Sequence, residues 1–550
     1  MGNGPLVIAS TDTLLLDLSH GAAELCRAEL ARFAELERSP EHVHTFKLTE
    51  LGLWNASAAG LDAMAVIDIV DRYSATPVPH ATAQMVLDIM DRYGQVVIEN
   101  GMNGHRADSS LLLRTSTPEV LGDLLADHRF AELVCEPEMC SGTAQLPYKN
   151  RGPMKRVLMD LGMPADDQAD FNPGDAHPVG LSDELGMRRY QRQAVDSWVP
   201  SGTGVVVLPC GAGKTVVGIA AMAAVGASTL ILVASETAMA QWEDELVRFT
   251  NTERCDIGRF TSRTKRVRPI TLATYTMLGA REGGEFRHIS LLTDNGWGLI
   301  IYDEVHLVPS SVFQITTSIH SRRRLGLTAT LVREDGKERD VFTMVGPKRF
   351  DMPWRELETQ GWLASVHCRE IRVHPTETER LSYACASPRA RPSIAALVQA
   401  KLDVAEVLVG HHRGESILIT GTYLESLESI AARLGCPLVT GSTPNNKRLE
   451  LFSGLRDGEI PILVVSKVGN NSIDLPEVSV AIQMSGTFGS RQEEAQRLGR
   501  LLRPKLDGKP ASFYTLVAQD TVEVDYAVRR QRFLAEQGYS YEIVDADDLG

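Results

Sequence analysis

The eight cysteines of this 550-residue chain, at positions 26, 135, 140, 210, 255, 368, 385 and 436, are too scattered for a disulfide framework. Only Cys135 and Cys140 are close in sequence, and no second pair or HxxxH answers them. That spacing argues against a zinc site and for a reducing, intracellular setting. No apolar run reaches the roughly 18–20 residues that a membrane span needs. MGNGPLVIASTD lacks the basic start and apolar core of a secretory signal, and Leu6 stands where a myristoylation pattern wants Ser or Thr. Internal repeats and low-complexity segments are missing. So is an excess of positive charge: the formal net charge is −15. Residues 1–150 alone hold 21 Asp+Glu against 10 Lys+Arg, a local net of −11. That imbalance argues against nucleic-acid binding over the whole surface. A cytoplasmic protein is expected, without a membrane partner.

What is there reads as a soluble globular chain of three or four domains, with 43% apolar and 23% charged residues. From about Gly204 the pattern is α/β. VVVL (205–208), TLILVA (229–234), PITLAT (269–274), LIIYD (299–303) and RLGLTAT (324–330) read as strands, with helices near Lys214–Val225 and Gln241–Phe249. After about Glu370 the pattern restarts with SILIT (416–420), PLVTG (437–441), PILVVS (461–466), VSVAIQM (478–484) and ASFYTLV (511–517). Strands this apolar fit parallel sheets covered on both faces. The expected fold is therefore α/β, with two tandem parallel-sheet domains behind a helical or α+β N-terminal region. In that region Leu61–Tyr73 and Thr82–Tyr93 have helical periodicity, and a short basic helix is expected within residues 147–167. His374–Leu402, with three prolines, reads as an insertion or lobe junction.

LPCGAGKT (208–215) lies between a strand and a helix, the context of a phosphate loop. Gly211, Ala212 and Gly213 would bring backbone N–H groups to the phosphates. Lys214 would reach the β and γ phosphates, and Thr215 would bind Mg²⁺. Leu208 stands where the general pattern wants Gly, so the match is incomplete. In DEVH (303–306), about 90 residues on, Asp303 would hold Mg²⁺, Glu304 would deprotonate the attacking water, and His306 would link the nucleotide to the other lobe. Gln496, Arg500 and Arg503 share one helical face in QRLGRLLRP, from which guanidiniums could cross a cleft to the γ-phosphate. MRRYQ supplies Arg188 and Gln191, a glutamine suited to an adenine edge, and LTAT supplies the hydroxyls of Thr328 and Thr330. The expected ligands are ATP and Mg²⁺.

Taken in order, MRRYQ, LPCGAGKT, ATY (273–275), DEVH, LTAT, SKVGNNSIDLPE (466–477) and GTFGSRQEEAQRLGRLLRP (486–504) resemble the superfamily-two helicases, over about residues 180–520. LTATLVRED and GPKRF (346–350) resemble the XPB/Ssl2 branch in its bacterial and archaeal form. Arg333, Glu334 and Asp335 look like that branch's RED motif, associated with strand separation. The resemblance implies two RecA-like lobes, at 181–370 and 371–550, and an ATP-dependent 3′→5′ DNA helicase or translocase acting in repair. It also implies an N-terminal helicase-associated domain at 1–70, where HTFKLTELGLWNASAAG (44–60) is similar, and a damage-recognition-like domain with its linker at 71–180. Asn470 departs from the family pattern, which commonly has an acidic residue there. The acidity of residues 1–150 suits an autoinhibitory or partner-docking role.

The residues expected to meet DNA phosphates are Arg254, Arg259, Arg263, Lys265, Arg266, Arg268, Arg322–Arg324 and Lys467. No base-reading motif is present, so binding without sequence preference is expected, at single-strand/duplex junctions. A monomer near the nucleoid, with a possible nuclease partner, completes the expectation. Three readings stay open: a helicase, a duplex translocase, and a scaffold whose shape ATP sets.

Overall fold

The computed structural model describes residues 4–38, 42–101, 110–209, 211–283, 285–308, 312, 323–329, 338–352, 357, 366–466, 478–485, 510–536 and 541–549. Two modules with largely antiparallel sheets precede two parallel-sheet lobes.

In the first module, Leu6–Ile8, Thr13–Asp17, Val43–Lys47 and Glu35–Arg38 form a four-stranded sheet, in that spatial order. Helices Ala23–Leu30, Glu50–Ala58, Ala63–Tyr73 and His80–Arg92 accompany it. Thr49 and Asp62 cap two of them, each accepting a backbone N–H in the first turn. Val86 and Met90 belong to the same core as Leu14, Leu53 and Val66. The core of this module therefore runs on past residue 70 to Met90. The second module is a five-stranded sheet built around Val96–Asn100 and Ser110–Thr115. Its helix Arg151–Asp160 is the basic helix expected within 147–167.

The sheet of the first lobe runs Lys265–Arg266, Ile257–Phe260, Ile270–Thr274, Thr229–Val233, Leu299–Asp303, Arg323–Thr328, Thr203–Val207 and Lys348–Asp351. Every neighbouring pair is parallel except the first. Alternate residues of the central strands enter two cores, with Val206 and Ile301 on one face and Val205 and Ile300 on the other. Burial on both faces is why these strands read as unbroken apolar runs. Lys348–Asp351, the edge strand beside Thr203–Val207, comes from GPKRF and is too polar to be foreseen as a strand.

The second lobe is a wholly parallel seven-stranded sheet, with Val480–Gln483 between Ile417–Gly421 and Ala511–Ala518. The expected insertion at His374–Leu402 is only partly one. Ala395 and Val398 enter this lobe's core, whereas helix Glu377–Cys385 buries none of its residues. Among the described residues, no single helix is long and apolar enough to cross a membrane.

Candidate nucleotide site

In open parallel sheets, ligands collect beyond the carboxyl ends of the strands, and the chemistry-bearing residues gather there. Thr203–Val207 feeds the phosphate loop, and helix Lys214–Val225 begins at Gly213. Gly211 and Gly213 both have left-handed backbones, at φ +79° and +76°. A Cβ on Gly213 would lie 2.5 Å from Gln191 Nε2, so this position is closed to any side chain.

Gln191 lies against the phosphate loop. It is buried, accepts the Arg188 N–H at 2.9 Å and donates to the Ala212 carbonyl at 2.9 Å. The Tyr190 hydroxyl grips the same carbonyl at 2.8 Å, and the Arg188 guanidinium donates to that hydroxyl. The amide expected at the adenine edge holds the phosphate loop through this carbonyl.

Two strands away, Leu299–Asp303 delivers the acidic pair. Glu304 has a left-handed backbone at φ +49°, a conformation that costs an L-residue about 1–2 kcal/mol. The turn brings the Glu304 carboxylate to 3.2 Å from Lys214 Nζ, bridging 90 residues of sequence. Burial raises the Glu304 carboxyl, but Lys214 and then His306 outweigh it, so it sits below its ordinary value and stays ionised. Asp303 goes the other way: burial, reinforced by the Glu304 charge, pushes its carboxyl up. His306 is buried, with Nδ1 2.6 Å from the Thr328 hydroxyl and 3.6 Å from Glu304. DEVH and LTAT thus meet at the strand ends.

Three supporting residues were not foreseen. The Trp242 indole donates to Asp303 at 3.0 Å, and its ring fills the space beside Gly218, where a Cβ would lie 2.5 Å from it. The Tyr275 hydroxyl, in ATY, donates to the Asp303 carbonyl at 2.7 Å. Glu245 lies near the Thr215 hydroxyl, and burial raises its carboxyl. All three contacts span at least 28 residues, so no local pattern announces them.

The expected DNA contacts divide. Arg254 pairs with Asp244 and Glu243, and Arg259 pairs with the buried Glu243. Arg263, Lys265, Arg266 and Arg268 are exposed along the sheet's outer edge, and among the described residues no carboxylate pairs with them. Arg324 is a correction. It is fully buried, beside Arg151 and Asp167 of the second module, and its carbonyl accepts the Trp198 indole N–H at 3.1 Å. Strand Arg323–Thr328 begins there, at the end of the sheet opposite the phosphate loop, so Arg324 cannot meet DNA. Arg322, Thr330, Arg333, Glu334, Asp335, Lys467, Asn470, Gln496, Arg500 and Arg503 lie outside the described residues.

The fit to a nucleotide rests on this donor set. A left-handed glycine loop leaves backbone N–H groups for phosphates, and Thr215 and Asp303 are hard oxygen donors of the kind Mg²⁺ takes.

Comparison with known proteins agrees. The family model described as the ERCC3/RAD25/XPB C-terminal helicase matches residues 357–548. The type III restriction enzyme res subunit matches 184–333, and a helicase conserved C-terminal domain matches 6–137. The chain is 49% identical over 551 residues to the DNA 3′-5′ helicase XPB of Mycobacterium tuberculosis, covering 100% of this chain and 99% of that protein. It is also 49% identical to the protein of the same name from Kineococcus radiotolerans, covering 100% and 98%. The general transcription and DNA repair factor IIH helicase/translocase subunit XPB/SSL2 of Saccharomyces cerevisiae is 30% identical, with 98% of this chain and 72% of that protein covered.

Proposed function

This chain belongs to the XPB family of DNA 3′-5′ helicases, and from that premise we propose that it is an ATP-dependent helicase that moves 3′→5′ on DNA and separates strands in repair. The observation that carries the reading is the Lys214–Glu304 pair at 3.2 Å, beside a half-buried Asp303.

Lys214 binds the β and γ phosphates of ATP. Its charge is then shared with the nucleotide, and Glu304 is released to take the proton of the attacking water. Lys214 and His306 keep Glu304 ionised for that role. Mg²⁺, when bound, neutralises phosphate charge, and Thr215 and Asp303 are the residues to hold it. Gly211, Ala212 and Gly213 cradle the phosphates, while Arg188, Tyr190 and Gln191 keep that loop in shape. Gln496, Arg500 and Arg503 of the second lobe complete the site across the cleft, so that hydrolysis drives lobe movement. His306 and Thr328, in contact at 2.6 Å, relay the state of the nucleotide towards Thr330 and the strand-separating Arg333, Glu334 and Asp335.

DNA lies along Arg263, Lys265, Arg266, Arg268 and Lys467, held through phosphates without sequence preference. The acidic N-terminal region is read as autoinhibitory or partner-docking. The protein is read as a cytoplasmic, nucleoid-associated monomer with a possible nuclease partner.

The test is ATP hydrolysis with no nucleic acid, single-stranded DNA, duplex DNA or RNA, with Glu304→Gln as the control, followed by unwinding of a 3′-tailed duplex. DNA stimulation that Glu304→Gln abolishes, together with unwinding, is the expected result. Stimulation without unwinding would make the protein a duplex translocase. Absence of stimulation in protein that still binds ATP would favour a scaffold.

A further inference from the structure

The edge strand Lys348–Asp351 pairs with the phosphate-loop strand through an irregular register: Val205 faces Lys348, but Val206 faces Phe350. Arg349 is the extra residue. Such a bulge re-aims a side chain, and bulges are uncommon between parallel strands. Here it turns the Arg349 guanidinium across the start of the phosphate-loop strand. Nε donates to the Thr203 carbonyl at 3.1 Å, and Nη1 donates to the Ala58 carbonyl at 2.6 Å. Ala58 is the last residue of helix Glu50–Ala58, where helix carbonyls lack internal partners and favour a cation.

The slot is built for this side chain. Gly204, at φ +137°, lies beneath it, and a Cβ there would stand 2.5 Å from Arg349 Cγ. Beside it, Lys348 N–H donates to Asn55 Oδ1 of the same helix at 2.9 Å. The helix thereby occupies a sheet edge that would otherwise present unpaired backbone groups. Glu50–Arg339 at 2.6 Å, and Trp54 packed with Phe342 and Met159, extend the contact.

We propose that Arg349 is a positioning residue for the nucleotide site, tying the docked N-terminal module to the phosphate-loop strand so that docking and nucleotide affinity are coupled. The chain of contacts is short: Ala58 carbonyl, Arg349, Thr203, then the five-residue strand that ends at Val207 and leads into the phosphate loop. Coupling of this kind is reciprocal, so bound nucleotide also tightens the docked helix. The proposal rests on the reading of Gly211–Thr215 as the nucleotide site, and on nothing about DNA.

The experiment uses the full chain without nucleic acid and ADP as the probe. Binding is measured by calorimetry for the parent protein, Arg349→Met, Arg349→Lys and Asn55→Leu, alongside amide exchange of residues 50–58 with and without ADP. Expected are a loss of ADP affinity of about five- to tenfold in Arg349→Met and Asn55→Leu, and a smaller loss in Arg349→Lys. ADP should slow exchange in residues 50–58 of the parent, and this protection should vanish in Arg349→Met. A merely structural contact would not make exchange in the module depend on nucleotide. Circular dichroism screens the variants, and Arg349→Lys with Asn55→Leu carries the test if Arg349→Met does not fold. ADP affinity within about twofold of the parent in the folded variants would overturn the proposal. So would parent protein whose residues 50–58 exchange identically with and without ADP. A parent that binds ADP but fails to unwind DNA would defeat the helicase reading and leave this result standing.

Discussion

Each parallel sheet ends in a lysine–glutamate pair, and the two pairs differ in access to solvent. In the first lobe, Lys214 and Glu304 meet at 3.2 Å with 11% and 21% of their side chains exposed. In the second, Lys401 Nζ donates to both Glu523 oxygens, at 2.7 and 2.6 Å, and to the Met484 carbonyl at 2.9 Å, with 0% and 4% exposed. Ala518 N–H supplies Glu523 with a further donor at 3.0 Å. The sealed pair locks the carboxyl ends of two strands, Val480–Gln483 and Ala511–Ala518, to helix Gln399–His411. The open pair sits between a glycine loop and a strained turn, where an anion can replace the carboxylate beside Lys214. The same two residue types are therefore sealed into architecture in one lobe and, in the proposed function, left open for chemistry in the other.

The contrast can be broken by substitution. Glu304→Gln should lower the rate of ATP hydrolysis by about 10²–10⁴, the contribution of a positioned general base, with ADP binding retained. Single-turnover assays would read it, and undiminished hydrolysis would remove Glu304 from its role. Lys401→Met should leave a buried carboxylate without its cation and cost about 3–5 kcal/mol in urea unfolding. Adding Glu523→Leu should recover most of that loss, because an apolar pair spares the desolvation. Lys214→Met, at the more open site, should cost less stability than Lys401→Met while abolishing nucleotide binding.

Acid titration sharpens the same comparison. Burial and the Glu304 charge raise the Asp303 carboxyl in the folded protein. The folded state therefore holds this proton more tightly than the unfolded chain does. Ionised Asp303 subtracts stability at neutral pH, and the penalty fades as pH falls through its raised value towards the ordinary aspartate value of about 4. Asp303→Asn should thus stabilise the first lobe by about 1–3 kcal/mol at pH 7–8, with the gain shrinking on acidification, and should abolish hydrolysis. A destabilised Asp303→Asn protein at pH 8 would contradict this. The smallest effect concerns the basic edge. Alanine at Arg263, Lys265 or Arg268 should make the slope of log DNA affinity against log salt shallower by about 0.9 for each phosphate left without its cation. Alanine at Arg254 or Arg259, whose charges are already paired with carboxylates, should leave that slope unchanged.

Much of the first lobe was legible from local pattern. Helix Lys214–Val225 has the ends its sequence predicts, because a glycine loop, a lysine and an unbroken apolar stretch all act within a few residues. Strand Leu299–Asp303 matches for the same reason. GPKRF was legible only as a family resemblance. Its strand, its bulge and its hold on Ala58 depend on a partner helix nearly 300 residues away. Arg324 misled because residue type shows what a side chain can bind and not what lies beside it.

The sequence by itself determined the α/β alternation, the phosphate loop, the acidic pair and the family, since each is written in neighbouring residues whose spacing is set by strand and helix periods. Tertiary structure alone decided which charges are open and which sealed, which arginines face solvent, and which carbonyls Gln191 and Arg349 hold. Burial and long-range hydrogen bonding depend on what the rest of the chain packs against a residue, and that is absent from its local sequence.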